Sequence, residues 1–341
     1  MIPEISILMP TLNEEKSVAA AVRSALQQEG VDVEVLVVDG GSVDRTREIV
    51  AEIAAEDPRV RLLDNPRSII PAALNIGLAA ASGEFVARLD AHCSISHDYL
   101  RRGVDRLRSD PAMASVGGCR TGVGRGPVGR AIALVLSSPA AIGDSINHFA
   151  VTAQLTDHAS QAVTRTAAAR AVGGWDEQLL VNEDVDFDHR LIRAGHRIGY
   201  DPQMRVSWEV RETLPALARQ YRRYGRGKGL MTRKNGVGAL RARHLVPPAA
   251  VVGGAGVLLA GLRRPALWLL VAPYLLLVLA ASVQCWRRRP RGEQVSALSL
   301  VLGFVVVHGC WGLGFLEGAL LGRQPVAASG DARARRSVTA G

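Results

Sequence analysis

After Arg243 the chain changes solvent. Leu245 to Gly261 and Leu267 to Gln284 carry no formal charge, and Val295 to Leu321 is interrupted only by His308 and Glu317. A helix needs roughly 20 apolar residues to cross a bilayer core, and inside lipid every backbone polar group must be paired within its own element. The three runs therefore predict three membrane helices within residues 241–322. A buried helical subdomain would also hide them. Clusters of arginine bound the runs, however, at Arg219 to Arg243, Arg263-Arg264 and Arg287 to Arg291, and these suit lipid head groups.

The formal net charge of +9 gathers in those clusters and in the tail, while acids and bases are interspersed up to about Glu183. That distribution favours an anionic membrane surface over nucleic acid. No RNA- or DNA-binding motif is present, and aromatics make up only 4% of the chain, few of them near the arginines. The positive-inside rule places Arg219 to Arg243 and Arg287 to Arg291 in the cytoplasm, with two helices between them joined outside at Arg263-Arg264-Pro265. A shallow re-entrant hairpin is the alternative. The expectation is a multi-pass protein of the cytoplasmic membrane. The four scattered cysteines, Cys93, Cys119, Cys285 and Cys310, lack metal spacing and fit a reducing compartment. No signal peptide is expected at the amino terminus, and 323–341 reads as a disordered basic tail.

The first half alternates two periodicities. Strand-like runs at Ile5 to Met9, Val33 to Val38, Val60 to Leu63 and Glu84 to Leu89 are separated by helical patterns at Val18 to Gln28, Asp44 to Glu56 and Ile70 to Ala81. Such alternation predicts an α/β domain with a mostly parallel, doubly wound sheet over about residues 1–240. From Ser94 to Leu180 the pattern loosens; Gly117 to Gly129 reads as a loop or edge hairpin, and Ser137 to Phe149 has few periodic cues. Glu183 to Ala194 and the basic stretch Leu214 to Arg226 read as helices.

Two of the strands end in an acid, Asp39 and Asp90. Open α/β sheets bind ligands beyond the carboxyl ends of their strands, so two such acids suggest one shared cleft. Asp90 with His92 two residues on suits a divalent cation carrying phosphates.

Pro10-Thr11-Leu12-Asn13-Glu14, Val37-Val38-Asp39-Gly40-Gly41-Ser42, and Asn75-Ile76-Gly77 followed by Ser82-Gly83-Glu84 and Leu89-Asp90-Ala91-His92 resemble family 2 glycosyltransferases of the GT-A fold. The order and spacing hold over about residues 4 to 230, and the Asp-Ala-His variant resembles the exopolysaccharide, succinoglycan-type subgroup. The resemblance implies that Pro10, Thr11, Asn13, Glu14, Asp39, Gly41, Asn75 and Asp90 face a nucleotide-sugar, with Thr11, Glu14 and Asp39 on its base and ribose. It places a divalent metal, Mg²⁺ or Mn²⁺, on Asp90 and His92, where the family carries a second acid; imidazole shifts the preference toward Mn²⁺. Asp184 would be the catalytic base that deprotonates the acceptor, with Glu183 positioning that acceptor. Gln220, Arg223 and Tyr224 resemble the Gln-x-x-Arg-Trp signature of membrane-bound members, with Tyr in place of Trp.

The implied activity is inverting transfer of a sugar, expected from a UDP-sugar, to a lipid-linked or growing glycan acceptor at the membrane. A polyprenyl-phosphate sugar synthase and a non-catalytic component of glycan export are the alternatives.

Overall fold

β1 (Ile5–Thr11) and β2 (Val33–Asp39) are apolar runs buried almost throughout, as strands covered by helices on both faces must be. The structure, a computed structural model, describes residues 3–236 and 240–322; the tail expected at 323–341 lies outside the described residues. β1 and β2 pair in parallel with Ile5 opposite Val33 and Thr11 opposite Asp39, so the two strands end level. Helix α1 (Val18–Leu26) joins them and buries Val18, Ala21, Val22 and Ala25, the face its periodicity predicts.

Next come α2 (Thr46–Glu56), β3 (Val60–Asp64), α3 (Ile70–Ala80) and β4 (Phe85–Arg88). β3 lies parallel to β2, and β4 lies parallel to β1 on its other side. Strand order therefore reverses between β1 and β4, which opens a crevice at their carboxyl ends.

One buried carboxylate fixes the opposite edge. Glu34 accepts from the Ser6 hydroxyl at 2.6 Å, the Ser82 hydroxyl at 2.6 Å and the Ser82 amide at 3.0 Å. Gly83 is held against the same strand: a Cβ there would lie 2.7 Å from the Ser6 amide nitrogen. This close approach accounts for Ser-Gly before β4.

Beyond β4 the sheet turns antiparallel. The chain continues through β5 (Cys93–Ile95), α4 (Tyr99–Ser109), β6 (Met113–Val123), α5 (Pro127–Leu136), α6 (Pro139–Ile142) and a 3₁₀ turn at Ile146–His148. It then forms β7 (Gln154–Thr156), β8 (Val163–Arg165), α7 (Thr166–Ala171), α8 (Glu183–Arg193) and β9 (Arg197–Glu209). The sheet order is β3-β2-β1-β4-β8-β6-β9-β5, with β7 on β9, so the sheet is mixed rather than mostly parallel. β8 runs antiparallel to β4 with Val163 opposite Ala87.

Of the Gly-rich stretch Gly117 to Gly129 expected as a loop or edge hairpin, the part up to Val123 belongs to the 11-residue strand β6, and the rest is a short loop leading into α5. Its glycines lie where neighbouring backbone leaves no room: a Cβ on Gly117 would lie 2.8 Å from the Ser160 carbonyl and one on Gly118 1.8 Å from that of Met204.

The described residues divide into two compact units. The first holds the residues up to Thr121 together with Ile146–Trp208, and the second holds Gly122–Ser145 and the residues from Glu209 onward. In the second, α9 (Leu214–Asn235) runs longer than the Leu214 to Arg226 expected, and is followed by α10 (Ala242–Gly261), a 3₁₀ segment (Pro265–Val271), α11 (Ala272–Arg287) and α12 (Ala297–Leu321). Ala242–Gly261, Pro265–Arg287 and Ala297–Leu321 are each long and apolar enough to cross a membrane. α5 and α6, which precede α9 by some distance in the chain, pack on this apolar set. Ser296 donates to the Pro127 carbonyl at 3.0 Å, and His308 Nε2 donates to the Ala140 carbonyl at 2.8 Å.

The basic helix α9 is joined to α12 along a seam of glycines. A Cβ on Gly225 would lie 2.0 Å from the Trp311 carbonyl, on Gly229 2.4 Å from that of Phe315, on Gly314 2.1 Å from that of Arg222 and on Gly318 2.1 Å from that of Arg226. Each helix thus carries two glycines four residues apart on the face it turns to the other, which lets the backbones touch. Glu317, between Gly314 and Gly318, pairs with both Arg222 and Arg226.

Gly225→Ala or Gly314→Ala is expected to destabilise the detergent-solubilised protein by about 2 kcal/mol, the usual scale for overpacking a close contact. Gly253→Ala, where a Cβ meets nothing within 4 Å, should leave thermal unfolding unchanged.

Candidate functional site

The first unit brings the strand-end acids and the acids of α8 to one edge of the sheet. On the β2 side the Asp39 carboxylate is fully buried and accepts four donors. These are the Gly41 amide at 2.9 Å, the Ser42 amide at 3.0 Å, the Ser42 hydroxyl and Arg47 at 2.9 Å. Gly41 makes the turn with φ of +86°, a conformation that suits glycine.

The loop after β1 is sewn to this one. The Asn13 amide donates to Ser42 Oγ at 2.8 Å, the Val43 amide to Asn13 Oδ1 at 2.9 Å and the Glu14 amide to Thr46 Oγ1 at 2.8 Å. Pro10 and Thr11 end β1, and the Thr11 carbonyl accepts from the Gly40 amide at 2.8 Å. Asn13, Glu14, Asp39 and Gly41, expected on a nucleotide, therefore belong to one rigid double loop.

Asp90 lies two residues past β4. Arg88 Nε donates to its Oδ1 at 2.8 Å, and Gln161 Nε2 donates to its Oδ2 at 2.8 Å. The Asp90 amide in turn donates to Gln161 Oε1 at 2.9 Å. Burial alone would raise the Asp90 pKa, but Arg88, His92 and Gln161 outweigh it and hold it at about 2. His92 Nδ1 lies 3.1 Å from Glu14 Oε1, which ties the double loop to the Asp-Ala-His segment.

Asp90, His92 and Cys93 bring their ligand atoms within 4.8 Å of one another. Burial and the neighbouring Asp90 push the Cys93 thiol up to about 12, so it stays protonated and is a poor ligand. An ionised carboxylate beside an imidazole is a donor set that fits a divalent ion.

Arg88 makes a second bond. Its Nη1 donates to Glu183 Oε1 at 3.0 Å, so one guanidinium joins the acid after β4 to the first acid of α8. Burial and the adjacent Asp184 push Glu183 upward against the pull of Arg88. Asp184 stays lower: burial raises it, but His158 and Arg88 hold it below the usual carboxylate range. Asn182, with φ of +62°, turns the chain so that both acids open the helix, where its dipole favours them.

The loop before α8 is braced from α3. Asn75 donates to the Trp175 carbonyl at 2.8 Å and to Glu177 at 2.9 Å, and accepts from the Trp175 amide at 2.8 Å. Gly174, with φ of +67°, lies where a Cβ would come within 2.3 Å of Asn75 Oδ1. Trp175 stacks on Phe187 at 4.4 Å and locks this loop to α8. The Asn75 side chain thus bonds to the loop that carries the acids and positions them.

Four residues of this site were not singled out by sequence reading: Arg88, Gln161, His158 and Asp188. His158 Nδ1 lies 2.8 Å from Asp188 Oδ2 and its Nε2 lies 3.8 Å from Asp184 Oδ2. Arg88 had a visible signal, an arginine inside a run otherwise fit for a buried strand. Gln161 and His158 come from a stretch without periodicity. Gln220, Arg223 and Tyr224 lie on α9 in the second unit, where Gln220 Nε2 donates to the Tyr224 hydroxyl at 2.9 Å. Gln220 Oε1 and Arg223 Nε are buried there without a hydrogen-bond partner.

The family model "Glycosyl transferase family 2" matches residues 6–148, and "Glycosyl transferase family group 2" matches residues 85–283. The chain is 32% identical to succinoglycan biosynthesis protein ExoA of Rhizobium meliloti, over 94% of this chain and 96% of that protein. It is 24% identical to the dolichyl N-acetyl-alpha-D-glucosaminyl phosphate 3-beta-D-2,3-diacetamido-2,3-dideoxy-beta-D-glucuronosyltransferase of Methanococcus voltae, over 67% of this chain and 74% of that protein. Among solved structures, the mannosyltransferase PcManGT from Pyrobaculum calidifontis, in complex with GDP-Man and Mn²⁺, superposes with a TM-score of 0.65. That match has 19% identity over 95% of this chain and 89% of that one, a likeness of fold.

Asp90→Ala is expected to weaken Mn²⁺ binding by at least tenfold in a calorimetric titration carried out with nucleoside diphosphate present. Cys93→Ser, which removes a protonated thiol, should leave that binding within twofold of the parent protein.

Proposed function

The chain belongs to glycosyl transferase family 2, and from that premise we propose how its residues divide the work of an inverting sugar transfer from a nucleotide-sugar. It is a glycosyltransferase of the GT-A fold. The donor is a UDP-sugar, its base and ribose against the double loop of Pro10, Thr11, Asn13, Glu14, Asp39 and Gly41, and its diphosphate toward Asp90. Asp90 and His92 would hold a divalent metal, which would supply positive charge toward the leaving diphosphate. Asn75 braces the acid-bearing loop at the edge of the donor site.

The reaction is a single displacement. The acceptor oxygen bonds to the anomeric carbon, the bond from that carbon to the diphosphate breaks, and its electron pair leaves with the diphosphate. The proton of the acceptor hydroxyl passes to Asp184. A base must be ionised at working pH and lie beside the acceptor. Asp184 meets the first condition because His158 and Arg88 favour its charged form. Glu183, buried and bound to Arg88, orients the acceptor. The observation that carries this reading is the Arg88 bridge, which links the donor-side acid and the acceptor-side acids in one arrangement.

The acceptor is lipid-linked or a growing glycan, as the similarity to the succinoglycan protein supports. The protein resides in the cytoplasmic membrane with its catalytic unit in the cytoplasm. α10 and α11 cross as a hairpin between the Arg219 to Arg243 and Arg287 to Arg291 clusters. α12 is the third apolar helix, and its Glu317 end rests at head-group level.

UDP-, GDP- and dTDP-sugars screened for binding with and without Mn²⁺ test the donor site; metal-dependent binding of a UDP-sugar, lost in Asp90→Ala, is expected. Asp184→Asn should bind that donor normally and lower turnover at least 100-fold. Donor binding that ignores both metal and Asp90 would sink the assignment. Substantial turnover by Asp184→Asn would instead favour a phosphate acceptor, which needs no base.

A further inference from the structure

Asp184 and Asp188 lie one turn apart on α8, and the His158 ring faces both. The Asp188 side chain is only 3% exposed, and its Oδ2 accepts from the Ala159 amide at 2.9 Å as well as facing His158 Nδ1 at 2.8 Å. Asp188 as a carboxylate only accepts, so Nδ1 carries the proton of that bond. The other ring nitrogen, Nε2, is left turned to Asp184 Oδ2 at 3.8 Å. The backbone on either side of the ring is fixed too. The Thr156 hydroxyl and the Asn147 amide donate to the His158 carbonyl at 3.1 Å and 3.3 Å, and the His158 amide donates to Thr156 Oγ1 at 3.2 Å.

We propose that His158, braced by Asp188, is a positioning residue for the transfer: its imidazolium keeps the Asp184 carboxylate ionised and aimed at the acceptor hydroxyl. This rests on the reading of Asp184 as the base. The groups that bear on the ring are Asp184, Asp188 and Asp157, which favour its protonated form, and His148, whose own charging it opposes. Burial works against a charged imidazole here, and the three acids outweigh it. Burial, together with Arg120 and His158, drives His148 down to about 3, so it stays neutral.

The arrangement differs from a triad in which histidine is itself the base. Here the proton of the acceptor goes to the carboxylate, and the histidine keeps its proton throughout. Its contribution is a fixed charge within 4 Å of the oxygen that does the chemistry, between two side chains mostly removed from water, where such a charge counts more than at an open surface.

The test is the pH dependence of kcat/KM for His158→Gln and Asp188→Asn, with donor KM measured alongside. Both variants are expected to lose at least tenfold in kcat with donor KM changed less than twofold. The acidic limb should move to higher pH in both: in His158→Gln because Asp184 loses its cationic neighbour and protonates more easily, and by less in Asp188→Asn because His158 stays but charges less readily. A residue that only fills space would lower the whole profile without moving the limb. An unmoved limb in both variants, or kcat within twofold of the parent in both, overturns the proposal. Should His158→Gln fail to bind donor, the near-isosteric Asp188→Asn carries the decision. Failure of the base assignment is seen separately, as turnover retained by Asp184→Asn.

Discussion

One buried guanidinium organises the chemistry of the first unit. Arg88 is 12% exposed and bonded to both Asp90 and Glu183. A single positive charge neutralises one carboxylate, not two, and the structure divides the outcome unequally. Asp90 takes the Nε bond plus Gln161 and ionises, whereas Glu183 is pushed upward in pKa. Buried ion pairs are poor evidence for stability, since desolvation consumes most of their attraction. Removing the central charge is another matter, costing about 3–5 kcal/mol where a partner is left bare. Arg88 therefore holds a constellation that a well-packed apolar core would not need, which is the signature of a site rather than of a fold.

The same logic runs outward from Arg88. Asp39 is neutralised by Arg47 and loop amides, and Asp188 by His158. Each acid at this edge of the sheet thus has its own cationic or amide partner, and Asp184 shares two, Arg88 and His158. Burial pushes Asp90, Glu183, Asp184 and Asp188 all upward, and their partners offset it unequally. Asp90 and Asp184 end below the usual carboxylate range, whereas Glu183 and Asp188 stay above it.

The acids of this edge were legible in the sequence because strands of apolar residues that stop at Asp39 and Asp90 have a period and an end. Glu183 and Asp184 were legible as an acidic helix start. Their partners were not. Arg88 sits inside the apolar run that announces β4, and an arginine there reads as an interruption until its two carboxylates are seen. Asp188 falls on the apolar side of α8, where periodicity alone gives an acid no role, and it is buried against His158. Gly117 and Gly118 suggested a loop because composition alone cannot distinguish a flexible glycine from one pressed against the backbone of the next strand. Long-range pairing, not local propensity, decides all four.

Charge also limits how deep the apolar C-terminal set can go. Glu317 alone in hydrocarbon would cost about 2.5–3.5 kcal/mol even on the gentlest scale, but it is never alone: Arg222 and Arg226 both reach it across the glycine seam. Those two arginines belong to a helix that also carries Arg219, Arg223, Lys228, Arg233 and Lys234. Such a helix cannot follow α12 through lipid. The α12 window is 44% buried, against 11% and 17% for the other two apolar helices, so its residues face protein far more than theirs do. The amino-terminal half of α12 meets α5 and α6, and its carboxyl-terminal half meets α9. The helix α5 is itself apolar, so only the carboxyl-terminal half of α12 is met by strongly basic chain. Hydropathy weighs all three runs alike; packing sets α12 apart as the helix that receives α9.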